Sequence, residues 1–335
     1  MTAPQPFLDL TRGTTEKRPD GAFDKSKAWT RQDLQPSEWK VTVTDEVKRE
    51  LAALVASLRK QALPMFMHSP DFYELAAADR MMKSARHMVD EGRSFAIVDR
   101  LPIDDWSDEE MRTVYWILGQ LFARPVAQTP RGEIFREVIN DKGARGYRLG
   151  GANGTGRLTY HTDNSGNRVP PNYVSLLCVT GAQEGGISQY CSTYTMYNAM
   201  LAHAPEYLER LFQPFFHDRL GMVQEVGDPE VLRAPALSFD GQLLTSRFSR
   251  NKIKSGYEKA GQEFDKESFT ALETAVEILE QNHMAAEFQM ERGHIQFINN
   301  REGMHHRSGF TDSPERRRHL VRLWYRKDGR PLFDG

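Results

Sequence analysis

The feature that most constrains the fold is a series of short, β-rich runs in the C-terminal two-thirds of the chain, after Pro125. Glycine, proline and asparagine separate these runs, as they do in antiparallel sheets. Two helical segments interrupt them, at about Tyr194–Phe212 and Ser268–His283, which is too few for regular βαβ alternation. We therefore predict a double antiparallel sheet, or jelly roll, rather than a doubly wound sheet. The predicted strands are Tyr173–Thr180, Ile187–Thr193, Gln242–Ser249, Gly293–Asn300 and Arg318–Arg326.

The N-terminal third has a helical pattern instead. Apolar residues recur every three or four positions in Thr44–Leu63, Asp71–Gly92 and Ser107–Ala123, and a short strand, Ser94–Leu101, lies between the last two. We predict that these helices flank one face of the sheet in a mixed α and β fold. The predicted organisation is a single domain over residues 1–335, with an irregular segment at 1–40, a largely helical support at 41–125 and a jelly-roll core at 126–335.

The composition limits which partners the chain can have. Charged residues make up 27% of the 335 positions and the formal net charge is -2, which argues against a general nucleic-acid or anionic-membrane binder. No apolar run approaches the roughly 20 residues of a membrane helix, and the N-terminus lacks the pattern of a signal peptide. Two cysteines, Cys178 and Cys191, are too few for a disulfide framework or a cysteine-rich zinc site. We expect a cytoplasmic protein, and the sequence leaves both a monomer and a homo-oligomer open.

His161 and Asp163 form a His-x-Asp motif that could supply part of a metal site. By itself the motif is weak, because a chain with 10 His and 46 Asp and Glu is expected to contain such a pair by chance. Its weight comes from the C-terminal stretch Phe297–Arg326, which supplies His305 and His306 just after a predicted strand. These residues together offer imidazole and carboxylate ligands for one metal.

Two arginines lie on one face of the last predicted strand. A period of two places Arg318, Leu320, Arg322 and Trp324 together on that face. Arginines on an otherwise apolar face are costly unless they meet anions, so the pattern indicates an anion-binding wall. The alternative is a charged outer face on an edge strand.

The types of ligand limit which metal and which kind of reaction the site could support. Two imidazoles and one carboxylate on one face of a metal leave three positions free, which suits Fe(II) oxygenases. A nearby arginine would then pair with a carboxylate of the cosubstrate. Two alternatives remain: the same ligands could hold Zn²⁺ and water in a hydrolase, or bind a metal in a jelly roll without catalysis.

Four ordered motifs resemble those of a known family. They are YHTDN (Tyr160–Asn164), GAQEGGISQYCSTYTMYNAM (Gly181–Met200), NNREGMHHRSGF (Asn299–Phe310) and RRHLVRLWYR (Arg317–Arg326). In this order they resemble the taurine dioxygenase/TfdA family of Fe(II)/2-oxoglutarate-dependent oxygenases and its clavaminate-synthase-like relatives. The resemblance covers roughly Gly143 to Arg326, and it implies a jelly-roll core.

The resemblance also implies roles for single residues. His161, Asp163 and His305 match the iron ligands, because the family's distal His-x-Arg motif selects His305 over His306. Arg318 matches the arginine that holds the distal carboxylate of 2-oxoglutarate. The family often places a threonine near that cosubstrate where this chain has Ser188, which keeps the hydroxyl.

The residues for the substrate are implied more loosely. Arg322 matches an arginine near the cosubstrate or an anionic substrate group, and Arg157 lies where some relatives contact the substrate. Asn164 either contacts the substrate or caps the loop after Asp163. The glycine-rich loop Arg145–Gly156 is expected to form a lid over the substrate.

The implied reaction is hydroxylation of an unactivated C–H bond with Fe(II), 2-oxoglutarate and O₂, releasing succinate and CO₂. Desaturation, ring formation and halogenation are alternatives within the same family chemistry. Halogenases of this type usually lose the ligand carboxylate, so the presence of Asp163 favours hydroxylation. Arg322 and Arg157 suggest a small anionic or zwitterionic substrate, such as an amino acid or another carboxylate.

Overall fold

The computed structural model describes residues 7–11, 18–60, 63–140, 154–223, 227–328 and 332–333. Its α-helices and β-strands confirm a mixed α and β fold. The α-helices are α1 (Asp45–Leu58), α2 (Ala76–Asp90), α3 (Asp108–Phe122), α4 (Thr193–His203), α5 (Pro205–Leu211), α6 (Arg250–Ala260) and α7 (Lys266–Leu279). None of the helices in the described residues is long and apolar enough to cross a membrane.

The strands fall into two larger sheets and three small ones. The strands are β1 (Leu8–Asp9), β2 (Lys40–Val41), β3 (Phe95–Val98), β4 (Arg124–Val126), β5 (Arg136–Ile139), β6 (Leu158–His161), β7 (Tyr173–Thr180), β8 (Glu184–Gly185), β9 (Ser188–Ser192), β10 (Pro214–Asp218), β11 (Val231–Pro235), β12 (Leu237–Phe239), β13 (Leu244–Ser246), β14 (Ala286–Phe288), β15 (Ile295–Asn299), β16 (Gly303–Arg307), β17 (Phe310–Thr311) and β18 (His319–Arg326). The large sheet has the order β2-β3-β15-β7-β18-β4, with β5 also pairing with β18. A four-stranded sheet has the order β14-β9-β16-β6. Most of these pairs are antiparallel, and in the large sheet the exception is the parallel β2–β3 pair.

The last strand, β18, shows how side-chain alternation builds the layers. Val321 and Leu323 face a cluster that includes α1, α2 and α3, whereas Leu320 and Trp324 face a second cluster on the opposite side. That second cluster also contains Tyr190 and other buried residues from the four-stranded sheet. The two sheets therefore pack against each other, and the face predicted for Arg318 and Arg322 points between them.

Two of the three N-terminal helices begin where the sequence indicates, whereas α2 begins at Ala76, five residues after the predicted start at Asp71. The hydroxyl of Thr44 accepts a hydrogen bond from the backbone N–H of Val47 at the start of α1. Ser107 and Glu110 form the capping box that opens α3. Among the predicted strands, Tyr173–Thr180 matches β7, and Gln242–Ser249 shrinks to β13 because α6 begins directly afterwards.

The helices of the second half differ from the prediction. The segment expected as one helix at Tyr194–Phe212 is two, α4 and α5, because Pro205 stands at the first position of α5 and cannot continue α4. Helix α6 was not predicted. It contains Gly256, where a Cβ atom would lie 2.3 Å from the Phe216 carbonyl oxygen on β10. Four of the seven described α-helices thus come from the second half, so the flanking helices are not mainly N-terminal.

Candidate active site

Three predicted ligands meet between two neighbouring strands. His161 on β6 and His305 on β16 are directly opposite partners of an antiparallel pair, and their rings lie 4.1 Å apart. Asp163 follows β6, and its Oδ1 lies 3.5 Å from His161 Nε2 and 3.7 Å from His305 Nε2. One ligand atom from each residue lies within 4.8 Å of the others, and no other such cluster of His, Cys, Asp or Glu occurs among the described residues.

The backbone of Asp163 forms hydrogen bonds with Asn300, the residue that follows β15. The Asp163 N–H donates to Asn300 Oδ1 at 2.7 Å, and Asn300 Nδ2 donates to the carbonyls of Asp163 and Pro171 at 3.0 and 3.1 Å. Asn300 lies in the same sequence motif as His305, whereas its partner Asp163 is 137 residues away. The loop after β6 is thereby fixed to the strand end that leads into β16.

The donor atoms are arranged to receive a cation. His161 Nδ1 lies 2.8 Å from the Thr159 carbonyl oxygen, so Nδ1 carries the proton and the Nε2 lone pair points toward Asp163. Burial lowers the pKa of His305 to about 3, which keeps its imidazole neutral at neutral pH. Two imidazoles and a carboxylate that face one another this closely would suit a divalent metal ion.

The second oxygen of Asp163 is also engaged. Trp324 Nε1 donates to Asp163 Oδ2 at 2.7 Å, and Arg322 Nη1 lies 3.0 Å from the same oxygen. Arg322 Nε also donates to Gln128 Oε1 at 2.8 Å. Burial alone would raise the pKa of the Asp163 carboxyl, but the Arg322 guanidinium and the two imidazoles hold it well below its usual value. Arg322 therefore compensates the charge of the Asp163 carboxylate, and Trp324 and Gln128 complete a network that we did not predict.

A cavity of about 350 Å³ opens beside these ligands. Arg318, Ser188 and Asn164 line it, as do Arg322 and Trp324. Asn164 adopts a left-handed conformation, with φ of 60°, which asparagine tolerates better than most residues. The residues predicted for the cosubstrate and for the metal thus line one cavity.

Arg318 is a cation on the cavity wall that has no acidic partner within the described residues. It is buried, and among the described residues no carboxylate lies within ion-pair distance of its guanidinium. Gly186, with φ of 67°, makes room for it, because a Cβ atom there would lie 3.2 Å from Arg318 Nε. The Gly-Gly segment accordingly provides both a turn with positive φ and space for this arginine.

The sequence between residues 68 and 324 matches the family described as "Taurine catabolism dioxygenase TauD, TfdA family". The chain belongs to this family. The TauD/TfdA family comprises Fe(II)/2-oxoglutarate-dependent oxygenases, so the predicted enzyme class and its cofactors, Fe(II), 2-oxoglutarate and O₂, are confirmed.

The chain is also similar to individual proteins and to solved structures of the same fold. The chain is 25% identical over 309 residues to FR-33289 synthase of Streptomyces rubellomurinus, covering 88% of this chain and 88% of that protein. It is similar to the structure of an asparagine oxygenase in complex with Fe(II), 2S,3S-3-hydroxyasparagine and succinate, with a TM-score of 0.63, 17% identity and coverage of 87% and 94%. It is also similar to the non-heme iron oxygenase OrfP in complex with Fe and α-ketoglutaric acid, with a TM-score of 0.61, 15% identity and coverage of 86% and 94%.

Two residues near the TauD/TfdA motifs lie on the outer face of the four-stranded sheet. Arg157 Nε donates to His306 Nε2 at 2.9 Å, and Arg157 Nη2 pairs with Glu280 at 2.5 Å. His306 stacks on Tyr160, and burial with the nearby Arg157 charge lowers the pKa of His306 to about 4. The structure therefore does not bring Arg157 to the metal cluster. Of the expected lid at Arg145–Gly156, residues 145–153 lie outside the described residues.

Proposed function

We propose that this oxygenase hydroxylates an unactivated C–H bond of a small anionic or zwitterionic molecule. The observation that carries the proposal is the pairing, in one cavity, of the His161–Asp163–His305 cluster with the buried, acid-free Arg318. A metal cluster alone would also suit a hydrolase. A separate cation placed to receive a carboxylate fits a dicarboxylate cosubstrate such as 2-oxoglutarate better.

Each residue of the site has a proposed role. His161, Asp163 and His305 would hold Fe(II), which supplies the oxidative chemistry when O₂ and 2-oxoglutarate are bound. Arg318 would pair with the far carboxylate of 2-oxoglutarate, and the hydroxyl of Ser188, which lines the same cavity, would offer a further hydrogen bond. Arg322 and Trp324 would orient the Asp163 carboxylate so that Oδ1 faces the metal.

The fold supports a jelly-roll core within a single domain. The seven-stranded and four-stranded sheets would be its two halves, since one buried cluster joins them. The N-terminal segment is part of the same body: Trp29 is buried in that cluster, and β1 pairs with β11. We infer that residues 1–335 act as one catalytic unit.

An amino acid or a similar acid is the proposed class of substrate. The asparagine oxygenase complex contains a hydroxylated asparagine, and another OrfP complex contains (3S)-hydroxy-L-Arg. In this chain the ligand carboxylate of Asp163 is present and held by two hydrogen-bond donors, which favours hydroxylation over halogenation.

The test is direct. Anaerobic addition of Fe(II) and 2-oxoglutarate to the purified protein is expected to give a visible charge-transfer band, and screening of small acids under O₂ should find those that stimulate succinate release. The absence of a band, together with hydrolysis supported by Zn²⁺, would contradict the proposal.

The Trp324→Phe substitution is expected to weaken Fe(II) binding by roughly tenfold, at the low end of the 10–100-fold effect of outer hydrogen bonds to metal ligands. The variant keeps an aromatic ring against Arg322 but loses the 2.7 Å donor to Asp163. Anaerobic Fe(II) titration measures the change. Trp116→Phe is the matched control, since that indole donates to the His68 carbonyl instead, and equal Fe(II) affinity in both variants would contradict the role of Trp324.

A further inference from the structure

We propose that Lys252 on α6 binds an anionic group of the substrate in the cavity that Arg318 also lines. This inference rests on the proposed oxygenase function and deepens it by naming the residue that recognises the substrate. It places the specificity of the enzyme on α6, rather than on Arg157 or Arg322.

Helix α6 begins beside the metal cluster. Ser249, the residue before α6, forms a β-bridge with His161, and the Thr162 N–H donates to the Phe248 carbonyl at 2.8 Å. Lys252 lies in the first turn of the helix, and it lines the cavity that the three predicted ligands line. The close contact of Gly256 with β10 fixes the helix in this position. The ammonium group is therefore held near the place where a substrate would meet the metal.

Lys252 lacks the partners that its neighbours on α6 have. Lys254 pairs with Glu273 at 3.1 Å, and Lys259 pairs with Asp218 at 2.9 Å. Within the described part of the chain, Lys252 makes no ion pair or hydrogen bond, although it is partly buried. The carboxylate of Asp218 is already taken by Lys259 and by the Ser255 hydroxyl, at 2.5 Å. A partly buried ammonium without an acid is costly unless a ligand supplies the anion.

The Lys252 amine is still charged at neutral pH. Burial lowers its pKa to about 8, while the carboxylates of Asp163 and Asp218 act in the opposite direction. The group thus enters the substrate complex as a cation.

The charge balance of the cavity with Fe(II) and 2-oxoglutarate bound also favours an anionic substrate. The two carboxylates of 2-oxoglutarate would offset Arg318 and one charge of Fe(II), and Asp163 would offset the other. The positive charges of Arg307, Arg322 and Lys252 then remain without a counter-charge among the cavity residues. Arg136 adds to this field: it faces Arg322 across the β5–β18 pair, and its buried Nε has no hydrogen-bond partner in the described residues. A substrate with a negative charge would restore the balance.

The preferred group is an oxyanion, either a carboxylate or a tetrahedral phosphonate or sulfonate. The N-terminal amides of α6 have no partners within the helix, and the Ser249 side chain does not cap them. Together with the Lys252 ammonium they offer several donors to a group with several oxygens. The apolar side chains of Leu220 and Met222 line the same cavity and would suit the carbon chain of a small acid.

The experiment uses four probes of similar length: butyrate, propylphosphonate, propanesulfonate and the uncharged butyramide. Binding to the anaerobic Fe(II)–2-oxoglutarate complex is followed by the shift of its charge-transfer band, and the rise of the thermal unfolding midpoint without metal gives a second readout. At least one anion is expected to bind the natural protein more tightly than butyramide. Lys252→Gln should weaken that binding by roughly tenfold to a hundredfold, as expected for loss of a hydrogen bond to a charged group.

Two further variants keep the result interpretable. Lys254→Gln is the matched control on the same helix, and it should bind the anion like the natural protein. Lys252→Arg keeps the charge, and it should retain most of the affinity. Equal binding of butyramide and the anions, or unchanged anion binding in Lys252→Gln, overturns the inference. Absence of the band in the natural protein would instead reject the oxygenase proposal, and the metal-free unfolding readout would still test Lys252.

Discussion

The variant His305→Ala is expected to lose iron and all turnover, whereas His306→Ala should keep iron and part of the activity. Successive side chains of a strand point to opposite faces, so these neighbours cannot both reach the metal. His305 faces the cavity opposite His161, and His306 accepts a hydrogen bond from Arg157 on the outer face. A site left with one imidazole and one carboxylate binds Fe(II) weakly.

Metal content of both purified variants, measured beside their thermal unfolding, decides this prediction. His306→Ala removes the stack on Tyr160 and the acceptor of Arg157, so some loss of stability is expected without loss of iron. If His306→Ala lost iron and His305→Ala retained it, the assignment of the distal motif would be wrong by one residue.

The strand pattern was the most informative part of the sequence. Alternation with a period of two placed Arg318, Leu320, Arg322 and Trp324 on one face, and the structure has Leu320 and Trp324 in the cluster between the sheets. The same rule separates His305 from His306. Local periodicity could predict these faces because one side of each strand is buried. Burial of that side determines which residues point inward.

For Arg157, side-chain alternation predicts the wrong face of the strand. A regular strand would place it on the same face as His161, four residues later. However, β6 and β16 pair His305 with His161 and Arg307 with Leu158, which gives β6 one extra residue in this interval. That bulge turns Arg157 outward to Glu280. No local signal in the sequence indicates the extra residue.

Contacts between side chains that are distant in sequence also could not be predicted from local patterns. Arg322 was expected near the cosubstrate or substrate, and it lines the cavity, but it forms an ion pair with Asp163, a predicted metal ligand. Gln128 and Asn300 support the site over separations of 194 and 137 residues. Lys252 lies on α6, which was not predicted because the segment has few apolar residues and an internal glycine.

The second large effect is expected at Arg318. Arg318→Leu should weaken 2-oxoglutarate binding by more than about a hundredfold, because removal of one partner from a buried charge pair costs about 3 kcal/mol. The guanidinium is buried, and burial lowers its pKa to about 10, so it remains charged and ready to pair with a carboxylate. Titration of the anaerobic Fe(II) complex with 2-oxoglutarate, followed by the charge-transfer band, measures the affinity.

Arg317→Leu is the matched control for this prediction. Arg317 is the preceding residue, but it is exposed and donates to the Asn140 carbonyl at 2.9 Å, so its loss should leave the titration unchanged. Arg318→Lys keeps the charge but loses the two parallel donors, and it should fall between the natural protein and Arg318→Leu. An unchanged affinity in Arg318→Leu would transfer the role to Arg322, whose Nη1 would then have to leave Asp163 to reach the cosubstrate.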